Sequence, residues 1–148
     1  MNAKNLLFEY YLTDAWGITI THIAIYDGEQ PYARFFVKSG GIFMPPDEKT
    51  ISLDSAAVEA IKKTLHRLHV TEIEPLTHVI VCDGYEQTFK YHNGDKLIEL
   101  TAGNISASRG APKLYPNAMA MIRAQKRIAK TLTPYGIDNK CFALGLYW

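Results

Sequence analysis

Four cations, Arg123, Lys126, Arg127 and Lys130, recur at spacings of three and four residues, the interval that puts side chains on one face of an α-helix. Such a stripe is what phosphate oxygens require, and each phosphate neutralised adds to a steep salt dependence. Arg109 and Lys113 precede this segment and extend the candidate patch for an anion or a nucleic acid. The competing use is a solvated face, which every helix with an apolar core side needs and which Lys and Arg fill well.

A second candidate is apolar. Phe142, Leu144, Leu146 and Trp148 end the chain together with Tyr147. In a strand, alternate side chains point to opposite faces, so these cannot all enter one core. An apolar face on an edge strand predicts a protein-binding surface or a homodimer. The competing reading is a central strand covered on both sides.

Other constellations are weaker. His66 and His69 stand three apart on a helical segment, a spacing at which two imidazoles can share a metal, but no third ligand follows one turn away. We expect no metal site and no cofactor. Cys82 and Cys141 have apolar neighbours, Ile80, Val81, Phe142 and Ala143, which predict buried thiols without a catalytic role; His78 shares strand parity with Cys82 and nothing more. Neither Gly40-Gly41 nor the segment around Gly103 and Gly110 has the Lys-Ser or Lys-Thr ending of a phosphate-binding loop. Tyr85, Phe89 and Tyr91 share one strand face and could stack single-stranded bases if that face met solvent. Cover by helices is the simpler use.

The elements that must position these residues follow from patterning. Leu6, Phe8, Tyr10 and Leu12 alternate with Leu7, Glu9 and Tyr11, predicting a strand largely buried on both faces. In the next run the isoleucines change parity, from Ile18 and Ile20 to Ile23 and Ile25, so a β-bulge is expected near Thr21-His22. Asp27-Gly28 predicts a hairpin into a third strand from Pro31 to Val37. After a loop marked by Gly40-Gly41 and Pro45-Pro46, Ser52 or Asp54 can cap an amphipathic helix over residues 54–69. Its stripe is Val58, Ile61, Leu65 and Leu68, opposite Glu59, Lys62, Lys63 and Arg67.

The run from His78 to Cys82 reads as a buried strand. Asp83-Gly84 and Asn93-Gly94 then flank and close a hairpin whose second strand covers Leu97 to Leu100. Pro116 opens a second helix over residues 117–132, ended by Thr133-Pro134-Tyr135-Gly136. This order of elements can be divided into two βββα halves, about 1–70 and 76–148, but the faint likeness of their Asp-Gly turns is better explained by coincidence, since hairpin turns draw on few residue types.

At 148 residues the chain matches one domain, long enough to bury roughly 68–70% of the surface of its unfolded form. A 47% hydrophobic and 21% charged composition excludes wholesale disorder. With a net charge of +1, any attraction to a polyanion must be local. Glu9 interrupts the first apolar stretch and no cleavage pattern follows, so a cytoplasmic protein without a signal peptide or membrane span is expected.

The expected fold is α+β in two layers: a mostly antiparallel sheet of about seven strands and two amphipathic helices, in the order βββα-βββα-β. The favoured function is a non-enzymatic protein-interaction or self-association module. Nucleic-acid or anion binding through the basic helix is the first alternative, and a small enzyme of unspecified reaction the second.

Overall fold

The computed structural model describes residues 5–14, 18–38, 47–74, 85–103 and 115–137. Within these residues, six strands form one antiparallel sheet: β1 (Leu6–Asp14), β2 (Thr19–Tyr26), β3 (Tyr32–Val37), β4 (Asp47–Ser52), β5 (Tyr85–Asn93) and β6 (Lys96–Gly103). Their spatial order is β4-β3-β2-β1-β5-β6. Two helices, α1 (Ser55–His66) and α2 (Pro116–Leu132), pack on each other and on one face of the sheet; a short 3₁₀ turn, Thr133–Tyr135, follows α2. The fold is α+β as expected, with six described strands in place of about seven.

Period-two patterning decides which face each residue takes. Phe8, Tyr10 and Leu12 of β1 meet Ile23 and Ile25 of β2, Phe89 and Tyr91 of β5, and Ile98 and Leu100 of β6 in one buried cluster beneath the helices. Phe89 stands edge-on to Phe8, with ring centroids 5.1 Å apart. Only one face of β1 is fully buried, so the expectation of burial on both faces fails: Glu9 and Tyr11 lie on the side away from the helices. Phe89 and Tyr91 point into the core, as cover by helices required.

The expected bulge is present. Leu12 pairs with Thr21 but Thr13 with Thr19, leaving Ile20 as the extra residue, one position before the expected site. Two turns differ in detail from expectation. The β2–β3 connection spans 27–31 between the paired Tyr26 and Tyr32, because Asp27 turns back to accept from the Gly28 N–H instead of closing a two-residue loop. In the β5–β6 hairpin Asn93 still pairs with Lys96, so the loop is Gly94-Asp95. Gly94 has φ +65° and Asp95 does not share the left-handed region, the pattern of a II′ turn.

Strand β4 was not foreseen. Its sequence, Asp-Glu-Lys-Thr-Ile-Ser, is too polar to signal a strand, but among the described residues it forms an edge of the sheet, where charged residues deter pairing with other chains. The expected strands at 78–82 and 141–148 and the Asp83-Gly84 turn lie outside the described residues. So do both cysteines.

The helices are placed by contacts that their own sequences do not announce. Helix α1 buries Ala57, Val58, Ile61 and Leu65. Asp54 takes the cap position through its backbone carbonyl, but its carboxylate caps no N–H; it accepts instead from the Tyr135 hydroxyl at 3.0 Å. At the other end, Glu74 accepts from the Asn117 and Ala118 N–H groups at 2.7 and 3.1 Å, filling the donors that the first turn of α2 leaves open. The start of α1 thus meets the end of α2, and the chain leaving α1 meets the start of α2. The two helices therefore run in opposite senses.

Candidate anion-binding surface

Helix α2 buries Met121, Ile122, Ala124, Gln125, Ile128, Ala129 and Leu132. That fixes its rotation, and Arg123, Lys126, Arg127 and Lys130 are all exposed on the outer side. The spacing in the sequence therefore does produce one cationic face. Arg109 and Lys113, together with Phe142, Leu144, Leu146 and Trp148, fall outside the described residues.

The neighbouring helix adds a group that the linear stripe does not contain. Thr64 of α1, Arg67 at its C-terminal cap, and Arg123 and Arg127 of α2 line one crevice of about 130 Å³, together with Ala120 and Ala124. Two small residues let the helices approach, and three guanidinium groups come from both sides with no carboxylate in the lining. Among the described residues, no ion pair engages Arg67, Arg123 or Arg127. Arg67 also lines a larger cavity, about 510 Å³, shared with Lys62, Lys63, His66 and, from the β5–β6 hairpin, His92 and Asn93. One cationic surface thus runs around the end of α1 to the outside of α2.

Part of this charge has an ordinary explanation. Lys63 and His66 occupy the last turn of α1 and Lys130 that of α2, where cations suit the negative pole of the helix. Lys62 is neutralised by Asp27 and Glu59. The dipole does not account for Arg123, Lys126 and Arg127, which sit mid-helix. Guanidinium groups present a planar fork of donors that matches phosphate or carboxylate oxygens two at a time. The lining offers cations and donors, and the Thr64 hydroxyl is already committed to the Ala60 carbonyl at 3.0 Å.

Arg67 is what a sequence reading misses, since it belongs to the solvated face of another helix and only the packing of α1 on α2 brings it in. His66 and His69 stand edge to face with centroids 6.2 Å apart, and no group of three or more metal-binding side chains occurs among the described residues. His78 and Cys82 are outside them. Among the described residues, no helix is long and apolar enough to cross a membrane. Compared with known proteins, the chain matches no family model and no curated protein.

Proposed function

We propose that this chain is a nucleic-acid-binding module that holds backbone phosphates on its helical face. The observation that carries the reading is the convergence of Arg67, Arg123 and Arg127 on one inter-helix crevice without a carboxylate in its lining. Because the net charge is only +1, attraction must come from this local concentration and fade within about a Debye length, ~8 Å at physiological salt. Phosphate contacts position a nucleic acid without reading its sequence, so weak sequence preference is expected.

Fluorescence anisotropy with a labelled duplex, repeated at rising salt, tests this. The logarithm of the affinity should fall linearly with the logarithm of salt concentration, and Arg67→Gln, Arg123→Gln, Lys126→Gln or Arg127→Gln should each flatten the slope by roughly 0.9. Absence of binding at low salt, or a slope unmoved by all four variants, would remove the reading.

A second reading, association with a protein partner or a second copy, draws on β6, the last strand of the sheet among the described residues, where Leu97 is 57% exposed. Sedimentation velocity over a wide range of protein concentration, with and without the last eight residues, tests it. A monomer throughout, with no partner-dependent shift, would remove it.

A further inference from the structure

The face of the sheet away from the helices is organised into cross-strand rows. Tyr11, His22 and Phe36 form one row, Tyr26 and Tyr32 another, and Glu9, Ala24 and Arg34 the row between them. Tyr11 lies flat on His22 with centroids 4.3 Å apart, and Tyr26 on Tyr32 at 4.6 Å. The middle row dips at Ala24, which has only a methyl group. Here a groove of about 350 Å³ opens, lined by His22, Ala24, Tyr26, Arg34, Phe36 and Glu48 among others.

The aromatic wall is held in place before anything binds. The Tyr11 hydroxyl donates to Glu9 Oε2 at 2.7 Å, and His22 Nε2 meets the same oxygen at 2.8 Å. On the far side, the Lys90 ammonium lies 5.2 Å from the centre of the Tyr11 ring. Burial, and then the Glu9 carboxylate, push the Tyr11 hydroxyl well above the ordinary tyrosine range, so it remains a donor. One face of the imidazole is spent on Tyr11. The other is turned toward β3, where Phe36 is its cross-strand neighbour and Arg34 stands in the adjoining row. Arg34 is exposed and has no ion pair among the described residues.

We propose that this groove binds a planar heteroaromatic anion, its ring continuing the Tyr11–His22 stack and its anionic group taken by Arg34. The Glu48 carboxylate, at the groove's edge-strand side, provides an acceptor for a ring N–H or amino group and disfavours a second negative charge there. The volume falls in the range of small-molecule sites, and stacking surfaces with a few placed polar groups are their usual lining. This site lies on the layer opposite the cationic helical surface and does not depend on it.

Isothermal titration with 5′-AMP and with indole-3-carboxylate distinguishes a nucleotide phosphate from an aryl carboxylate as the anion, with adenosine and inorganic phosphate as half-probes. Saturable submillimolar binding of either anion, with both half-probes much weaker, is the expected result. Arg34→Gln should weaken it about tenfold, the loss of a charge-assisted pair, and Ala24→Leu, which fills the groove, should abolish it. Phe36→Ala serves as a second groove variant should Ala24→Leu fail to fold by circular dichroism. The titrations are run in the Arg67→Gln, Arg123→Gln, Arg127→Gln background, so that anions held by the helical crevice do not contribute to the heat. In that background, binding of neither anion, or binding indifferent to Arg34 and the groove variant, would overturn the proposal.

Discussion

Tyr10 and Tyr11 are adjacent in β1 and face opposite ways, and each hydroxyl enters a polar network of a different kind. Tyr10 is fully buried; its hydroxyl donates to Gln87 Oε1 at 2.6 Å, and the Gln125 amide of α2 donates to the same oxygen. This arrangement ties β1, β5 and α2 together through one acceptor. Tyr11 joins Glu9 and His22 on the open face, where the Glu9 side chain retains 19% of its exposure and His22 33%. In the interior, lost partners are not replaced by water, so the network sets one packing. On the open face water competes for every bond, so the network orders side chains at small cost and leaves them available to a ligand.

The comparison breaks most easily at Gln87. Gln87→Ala takes the shared acceptor from two buried donors and opens a cavity, and should destabilise the protein by about 3 kcal/mol in urea unfolding. A cost under about 1 kcal/mol would mean that the interior network adds little. Tyr10→Phe against Tyr11→Phe sharpens the contrast at constant ring size. The first should cost about 1–1.5 kcal/mol, and the second about 0.5 kcal/mol, while loosening His22 in NMR line shapes.

The smallest effect belongs to the Asp27–Lys62 pair, which links the β2–β3 loop to α1. Hydrogen bonding to Lys62, opposed by burial and aided by the Gly28 N–H, holds the Asp27 carboxyl below its ordinary range; the bond to Asp27 correspondingly raises Lys62. Both side chains are 37% exposed, so solvent screens the pair and Asp27→Asn should cost only about 0.5 kcal/mol at neutral pH. The folded carboxyl titrates below the unfolded one. Its contribution is therefore complete above about pH 4 and lost as pH falls through the folded value. The lysine's part is complete below about pH 10 and lost as pH rises through its own folded value. Wild type and variant should accordingly converge in acid and in strong alkali, measured by thermal unfolding across pH.

The helices were legible because their apolar residues repeat at helical intervals: Val58, Ile61 and Leu65 in α1, and Met121, Ile122 and Ile128 in α2, are all buried. The bulge at Ile20 was legible because isoleucines changed parity. Strand β4 was not, since an edge strand needs no apolar face and Glu48, Lys49 and Thr50 read as loop. The cationic face of α2 could be read from i, i+4 spacing, whereas Arg67 enters only through the antiparallel packing of α1. The groove at Ala24 was hidden for another reason. Glu9, Ala24 and Arg34 become one row only through strand register, and register over two turns of uncertain length is not encoded in any short window.

Strand β1 pairs with β2 on one side and β5 on the other, with Tyr10 opposite Ile23 and also opposite Phe89. The first partnership closes a short loop, whereas the second must wait for all of β3, β4 and α1 to be spanned. Loop-closure entropy grows only with the logarithm of length, but contacts of this separation are what slow a fold's search. The β1–β4 meander can therefore assemble early as a local unit. Contact separation predicts that the β5–β6 hairpin and α2, which carry Phe89, Gln87 and Gln125, dock afterwards on the edge of β1. Until they do, the central strand of the finished sheet is an edge strand, with Phe8, Tyr10 and Leu12 open to any other chain. Aggregation is therefore predicted to be greatest in the interval between the two steps, and rapid refolding at high protein concentration is where it should surface.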